Sequence, residues 1–316
     1  MEALAVVFEQ PETLAVRHLP LTPPSGEDVV VDIEWSGIST GTERLLWTGS
    51  MPPFPGMGYP LVPGYEAIGR IREAGPRSDR RAGEFVFVPG ARCYGDVHGL
   101  FGGSASCLVV PGRRTLPIDE DFAERGVLLA LAATAYNAIR APEGGYRIPE
   151  LIVGHGVLGQ LLARLAVALE QDASPVVWEL DPERSSGADG YAVIRPEDDP
   201  RTDYAAICDV SGASDLLDTL IPRLAPGGEV TLAGFYTDSL HFAFPPAFMR
   251  RARIRVAAEW QQTDLEAVRT LTGTGDLSLH GLITDVRRAE QAEGAYRTAF
   301  SDPACLKMIL DWRSPQ

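Results

Sequence analysis

The stretch "LIVGHGVLGQLLARL", residues 151–165, carries Gly154, Gly156 and Gly159 in the spacing G-x-G-x-x-G. An apolar run precedes it and apolar residues at helical spacing follow it. It therefore reads as a strand, a tight turn and the opening of a helix. In that geometry Gly154 permits the turn, Gly156 lets the backbone approach a pyrophosphate, and Gly159 lets helix and strand pack closely. His155, Val157 and Leu158 fill the remaining positions of a helix start whose N–H groups suit phosphate. His155 is expected to be exposed at the turn, with a proton relay as the alternative role.

About twenty residues beyond Gly159, at the end of the next strand "PVVWELD", stands Glu179. An acid there accepts hydrogen bonds from the adenosine ribose hydroxyls and repels a 2′-phosphate, which favours NAD over NADP. Asp181 strengthens this preference, and Arg184, which could accommodate a phosphate, weakens it. The glycine turn alone is weak evidence; strand, helix and acid together make it a dinucleotide site.

The surroundings of the turn fit that reading. From about residue 121 strands and helices alternate, through "VLGQLLARLAVALE", "PVVWELD", "YAAICDVSG" and "GGEVTLAGF". β-α-β alternation implies an α/β fold with a doubly wound parallel sheet. Ligands sit at the carboxyl ends of such strands, which nominates Asp209–Ser211 and Gly234–Phe235 beside the cofactor. The first 115 or so residues read instead as short β-branched runs divided by Gly, Pro and charged turns, a compact barrel-like or sandwich domain. Residues 45–63, "LLWTGSMPPFPGMGYPLVP", form a long Pro-, Gly- and aromatic-rich loop. After about residue 262 a short stretch of helices and strands is too small to stand alone and is expected to pack back onto the N-terminal part. The expected division is 1–133 with 262–316, and 134–261.

The chain has 316 residues, 45% of them hydrophobic, enough for about two domains with real cores. Its net charge of −15 leaves no basic footprint for nucleic acid and repels anionic membranes. No run of 18 apolar residues and no basic, apolar leader is visible, so neither a membrane span nor a signal peptide is expected. Four scattered cysteines, Cys93, Cys107, Cys208 and Cys305, argue against a disulfide scaffold. A soluble cytoplasmic protein is the simplest expectation. Lysine and arginine total 28, yet Lys307 is the only lysine.

"SGISTGTE" (36–43), "LVPGYEAIGRI" (61–71), "GEFVFV" (83–88), "GGSASCLVVP" (102–111), "LLALAATAYNAI" (128–139), "GHGVLG" (154–159) and "LAPGGEVTLAG" (224–234) occur in an order that resembles the medium-chain dehydrogenase/reductases. The resemblance covers essentially the whole chain. It implies a GroES-like catalytic domain interrupted by a Rossmann domain, which suits the returning C-terminal stretch, with a homodimer as the family's expectation. By the same likeness Thr134 approaches the nicotinamide, unless it is simply a helix-start hydroxyl.

The departures from the family matter most. Zinc-dependent members carry a Cys after Gly-Ile and a His-Glu pair after glycine; the corresponding residues here are Ser39, Tyr65 and Glu66. A hydroxyl and a phenol are poor zinc ligands beside thiolate and imidazole. The lobe that binds structural zinc needs four cysteines, and "VPGARCYGDVHGLFGG" has one. A zinc-free member is therefore expected. Tyr65 would orient a substrate hydroxyl and relay its proton, with Ser39 and Thr40 extending the relay or bonding their own loop. Glu66, the neighbour of Tyr65 in an extended segment, should face the opposite way and need a cation. Zinc-dependent members supply an arginine near this glutamate from the C-terminal strand, and the matching position is Lys307.

The loop "SGISTGTERLLWTGSMPPFPGMGYPLVPGYE" resembles more narrowly the branch that oxidises the 3-(1-hydroxyethyl) group of a chlorin or bacteriochlorin to acetyl with NAD. That implies a (bacterio)chlorophyllide-type tetrapyrrole as substrate. Trp47, Met51, Phe54, Met57 and Tyr59 would then offer an apolar surface to the macrocycle, or close the domain's own core. Two other functions fit the fold: a zinc-free quinone or enone reductase, against which Glu179 argues, and a dinucleotide-binding protein without catalysis.

Overall fold

The computed structural model describes residues 1–53, 55–257 and 259–313. They fall into two compact units, Met1–Ala130 together with the chain from Leu282 onward, and Leu131–Gly281. Among the described residues no helix is long and apolar enough to cross a membrane.

The first unit is built on two sheets. Its central strand, Asp28–Gly37, pairs antiparallel with Ala67–Ala74, with Cys107–Pro111 and with Met308–Asp311. A strand covered on every side reads as a near-continuous apolar run, and Val29, Val30, Val31, Ile33 and Trp35 supply it. The register matters for the site. Ser36 lies opposite Ala67 and Gly37 opposite Ile309, so the chain near Gly37 has Glu66 on one side and Lys307 on the other. A second sheet pairs Glu2–Gln10 with Thr13–Pro20 and with Leu61–Val62. The segment that enters the second unit begins as 3₁₀ turns over Glu120–Leu128 and becomes α-helical only at Leu129–Ile139. Ala123, at φ 43°, interrupts the helical path.

The second unit holds a six-stranded parallel sheet in the spatial order Ala192–Ile194, Val176–Trp178, Leu151–Val153, Tyr204–Asp209, Leu224–Leu232, Arg253–Val256. Leu151–Val153, first in the chain, sits in the middle, and the order reverses between it and Tyr204–Asp209. That is the switch point where doubly wound sheets bind ligands. Helix Gln262–Gly273 belongs to this unit, whereas the sequence places the return at residue 262. The cause is a buried carboxylate: Asp264 accepts hydrogen bonds from Asn137 Nδ2 at 2.8 Å and Arg140 Nη1 at 2.6 Å.

Candidate active site

In the second unit the glycine turn has the geometry a dinucleotide needs. Gly154 takes φ 103°, and a Cβ at Gly159 would lie 1.9 Å from the Gly154 carbonyl oxygen, so only glycine lets the helix pack this close. Gly156 is the N-cap of helix Val157–Leu169, no side chain caps that end, and a Cβ at Gly156 would meet only open space. The first N–H groups of Val157, Leu158 and Gly159 are thus available to an anion. Ser211 lies against Gly154, within 3.5 Å of where its Cβ would be, and Gly234 packs in the same way on Gly212. Asp209, buried at the end of its strand, accepts from the Ser211 N–H at 2.9 Å and the Ser211 hydroxyl at 2.7 Å and so fixes this turn. Burial pushes the Asp209 carboxyl above its usual range.

Glu179 stands beside the turn. Its carboxylate accepts the N–H of His155 at 2.9 Å, of Leu180 at 2.7 Å and of Asp181 at 2.9 Å. These three bonds hold the group rigidly, and a carboxylate has about four acceptor sites, so capacity for a ribose hydroxyl remains. Asp181 caps the short turn Pro182–Arg184 by accepting from the Glu183 N–H at 3.0 Å. A nicotinamide dinucleotide fits this set of groups: free helix-start donors for its phosphates, an oriented acid for a ribose.

His155 departs from the expectation of an exposed turn. It is 0% exposed, because the segment 184–191 folds over it. Its Nδ1 meets the Arg184 carbonyl oxygen and its Nε2 lies 2.8 Å from the Tyr191 hydroxyl. A carbonyl only accepts, so Nδ1 carries the proton and Nε2 accepts from Tyr191. Burial holds its pKa below the ordinary histidine value, so the ring is neutral and both nitrogens are engaged. His155 therefore ties the glycine turn to the segment carrying Arg184. Thr134 lies partly exposed on helix Leu129–Ile139.

The first unit brings together the hydroxyls expected from the sequence. The Ser39 hydroxyl and the Tyr65 phenol are 2.6 Å apart. Tyr65 packs edge-on against Phe101 with ring centroids 5.4 Å apart. Burial, then the nearby Glu66 charge, push its pKa well above the usual tyrosine value, so Tyr65 stays a neutral phenol. Thr40 is exposed and stands outside the Ser39–Tyr65 pair.

Behind this pair, Glu66 Oε2 meets Lys307 Nζ in an ion pair whose side chains are 0% and 2% exposed. Gly37 makes room for it. A Cβ there would lie 2.1 Å from Glu66 Oε2 and 3.0 Å from Lys307 Cε, so the two side chains meet over a missing one. Burial raises the Glu66 pKa and the Lys307 ammonium opposes the rise. Zinc does not fit here. The hydroxyls of Ser39 and Tyr65 are bonded to each other, burial opposes loss of the phenol proton, and an ammonium already sits on Glu66.

The sequence reading missed Glu43. Its carboxylate accepts the Ser39 N–H at 3.0 Å and the Tyr296 hydroxyl at 2.7 Å, and it is buried. The only local signal was an acid four residues after Ser39, in the first turn of helix Thr42–Thr48, where acids are common. Its cover comes from Tyr296, more than 250 residues on.

Of the loop residues, Trp47 is 8% exposed and Met51 is buried. The Trp47 ring lies 5.5 Å from Phe8 and 6.5 Å from Phe300, centroid to centroid. Tyr59 donates to the Leu46 carbonyl, and Met57 and Tyr59 pack on the same core. These side chains close the unit's own core, the other role open to them from sequence. Phe54 lies outside the described residues.

The alternating parallel sheet, the glycine turn and the interrupted β-rich unit define a dehydrogenase of two-domain type. Residues 25–120 match the alcohol dehydrogenase GroES-like domain. The 2-desacetyl-2-hydroxyethyl bacteriochlorophyllide A dehydrogenases of Rhodobacter capsulatus and Cereibacter sphaeroides are each 53% identical to the chain, with 99% of both partners covered. The chain belongs to their family, within the medium-chain dehydrogenase/reductases. Among solved structures, the alcohol dehydrogenase rspB of E. coli CFT073, complexed with NADH, superposes with a TM-score of 0.83 at 20% identity, covering 98% of this chain and 99% of that one.

Proposed function

We propose that the protein oxidises the 3-(1-hydroxyethyl) group of a (bacterio)chlorophyllide to acetyl, using NAD and no catalytic zinc. The full-length likeness to the two bacteriochlorophyllide dehydrogenases supports the substrate. The observation that carries the chemistry is the Ser39–Tyr65 hydroxyl pair, which takes over the work a metal does elsewhere in the family. NAD held by the N–H groups of Val157, Leu158 and Gly159 and by Glu179 would supply the hydride acceptor. The protein's part is the proton. Tyr65, neutral throughout, accepts the carbinol proton only as it passes its own to Ser39, whose hydroxyl in turn releases its proton to bulk water, so neither hydroxyl carries a full charge. The substrate eases the step, because the new ketone is conjugated with the macrocycle. Glu179, held in place by three N–H donors, would repel a 2′-phosphate by its charge, which supports NAD over NADP. The four cysteines are unpaired, which suits a cytoplasmic enzyme.

The test is turnover of a 3-hydroxyethyl chlorin or bacteriochlorin with NAD⁺ in the presence of a metal chelator. NADH and the acetyl product should appear in equal amounts, and NADP⁺ should support little turnover. Glu179→Ala should weaken NAD binding roughly tenfold and narrow the preference, since about 1–2 kcal/mol of charge-assisted hydrogen bonding is lost. Tight NAD binding without turnover would favour the non-catalytic reading. Reduction of quinones or enones would favour the reductase.

We propose also that two copies pair through the second unit. The strand Arg253–Val256 is the sheet's edge, and Ile254 and Val256 are exposed beside Phe244, Phe248 and Met249 of helix Phe244–Arg250. An apolar edge of this kind is normally covered, and a two-fold copy covers it with the same surface. Phe248→Glu should shift the sedimentation coefficient from dimer to monomer; an unchanged coefficient would reject the interface.

A further inference from the structure

We propose that Glu43 is the positioning residue of the Ser39–Tyr65 pair, and that its ionised form is the one that aims Ser39 at the phenol. The proposal rests on the oxidation assigned above. Glu43 touches neither substrate nor cofactor in this scheme; it acts through Ser39. Its Oε1 accepts the Ser39 N–H at 3.0 Å and its Oε2 accepts the Tyr296 hydroxyl at 2.7 Å, so both oxygens are used as acceptors. Ser39 precedes the helix Thr42–Thr48, and the Glu43 bond fixes its backbone just where its hydroxyl meets Tyr65 at 2.6 Å.

A carboxylate can hold both donors, but a protonated carboxyl must use one oxygen to donate. The Ser39 N–H can only donate, so on protonation of Glu43 the Tyr296 hydroxyl turns to accept and Ser39 is left with a weaker, uncharged acceptor. The acid is placed to titrate near neutrality. Burial pushes its pKa up to about 7, the Ser39 N–H and Tyr296 hydroxyl oppose the rise, Glu66 adds to it and Lys307 reduces it. These are the groups that face it: Ser39 from its own loop, Tyr296 from helix Ala292–Ser301, Glu66 ahead of strand Ala67–Ala74, and Lys307 ahead of strand Met308–Asp311. Tyr65 faces it as well and remains neutral.

The experiment pairs two measurements on the full-length protein. In the first, kcat for the hydroxyethyl macrocycle with NAD⁺ is followed against pH. Wild type should rise through a limb near pH 7. Glu43→Gln, which like the acid form cannot accept on both sides, should lose that limb and run about tenfold slower at high pH, with NAD affinity unchanged. Glu43→Asp should keep the limb. Tyr296→Phe removes a bond that favours the ionised form and should move the limb to higher pH. In the second, the Ser39 amide is followed by NMR through the same pH range without substrate. Its resonance should titrate in wild type and not in Glu43→Gln. A limb that survives in Glu43→Gln belongs to another group and overturns the proposal, as does a Ser39 amide that ignores pH. If wild type fails to oxidise the macrocycle while the Ser39 amide titrates through Glu43, the substrate assignment falls and the positioning contact stands.

Discussion

Replacing Lys307 with methionine should lower the stability of the first unit by about 3–5 kcal/mol, the cost of leaving a buried acid without its cation. Glu66 and Lys307 are both effectively out of water, and Glu66 Oε1 has no hydrogen-bond partner among the described residues. Lys307 is therefore the main compensation for the Glu66 charge. The loss should depend on pH. Without the ammonium, burial alone acts on Glu66 and raises its folded pKa further above the unfolded value of 4.5. A carboxyl raised in this way contributes its stability in full below the unfolded value and loses it as pH rises through the folded one. The variant should thus be nearly as stable as wild type at mildly acidic pH and clearly weaker at alkaline pH. Adding Glu66→Gln should restore most of the loss, since removing both charges removes the need for either. Thermal melts at two pH values measure this. A Lys307→Met variant within about 1 kcal/mol of wild type at alkaline pH would mean that water or another group satisfies Glu66.

What could be read from the sequence is what local spacing encodes. The glycine turn works through backbone conformation and a single helix start, so Gly154, Gly156, Gly159 and Glu179 were visible in one short window. The Glu66–Lys307 pair spans the whole chain, yet it was legible for two reasons. A buried acid demands a cation, and the chain has one lysine, at the place where the family keeps a basic residue. Where burial depends on distant cover, sequence reading failed. His155 sits between two glycines and looked exposed; the segment 184–191 that covers it carries no periodic signal. Glu43 looked like a helix-start acid because Tyr296, which buries it, is remote in sequence. Trp47 could serve a ligand or the core, and only the positions of Phe8 and Phe300 decide for the core. The boundary near residue 262 turned on one side chain, Asp264, whose partners Asn137 and Arg140 lie on a helix far upstream.

Removing the phenol hydroxyl by Tyr65→Phe should cut kcat by about 10²–10⁴-fold, the usual loss when a positioned proton carrier is deleted. The substitution keeps the ring and its edge contact with Phe101, so the fold and the glycine turn should be untouched. NAD affinity should stay within about twofold, because no dinucleotide contact in the second unit involves this residue. The loss should appear at every pH examined. Tyr65 is neutral throughout, held far above its ordinary value by burial and by Glu66, so no limb of the wild-type profile is its own. Ser39→Ala should be milder, about tenfold, since the phenol that meets the carbinol stays in place. This order separates a relay from a structural bond. If the 2.6 Å contact served only to hold the loop, both variants would lose stability alike and turn over alike. If Tyr65 carries the substrate proton, the phenylalanine variant is the slower by at least tenfold while melting close to wild type. A Tyr65→Phe enzyme with kcat within about threefold of wild type would take the phenol out of the reaction, leaving the carbinol proton to Ser39 or water.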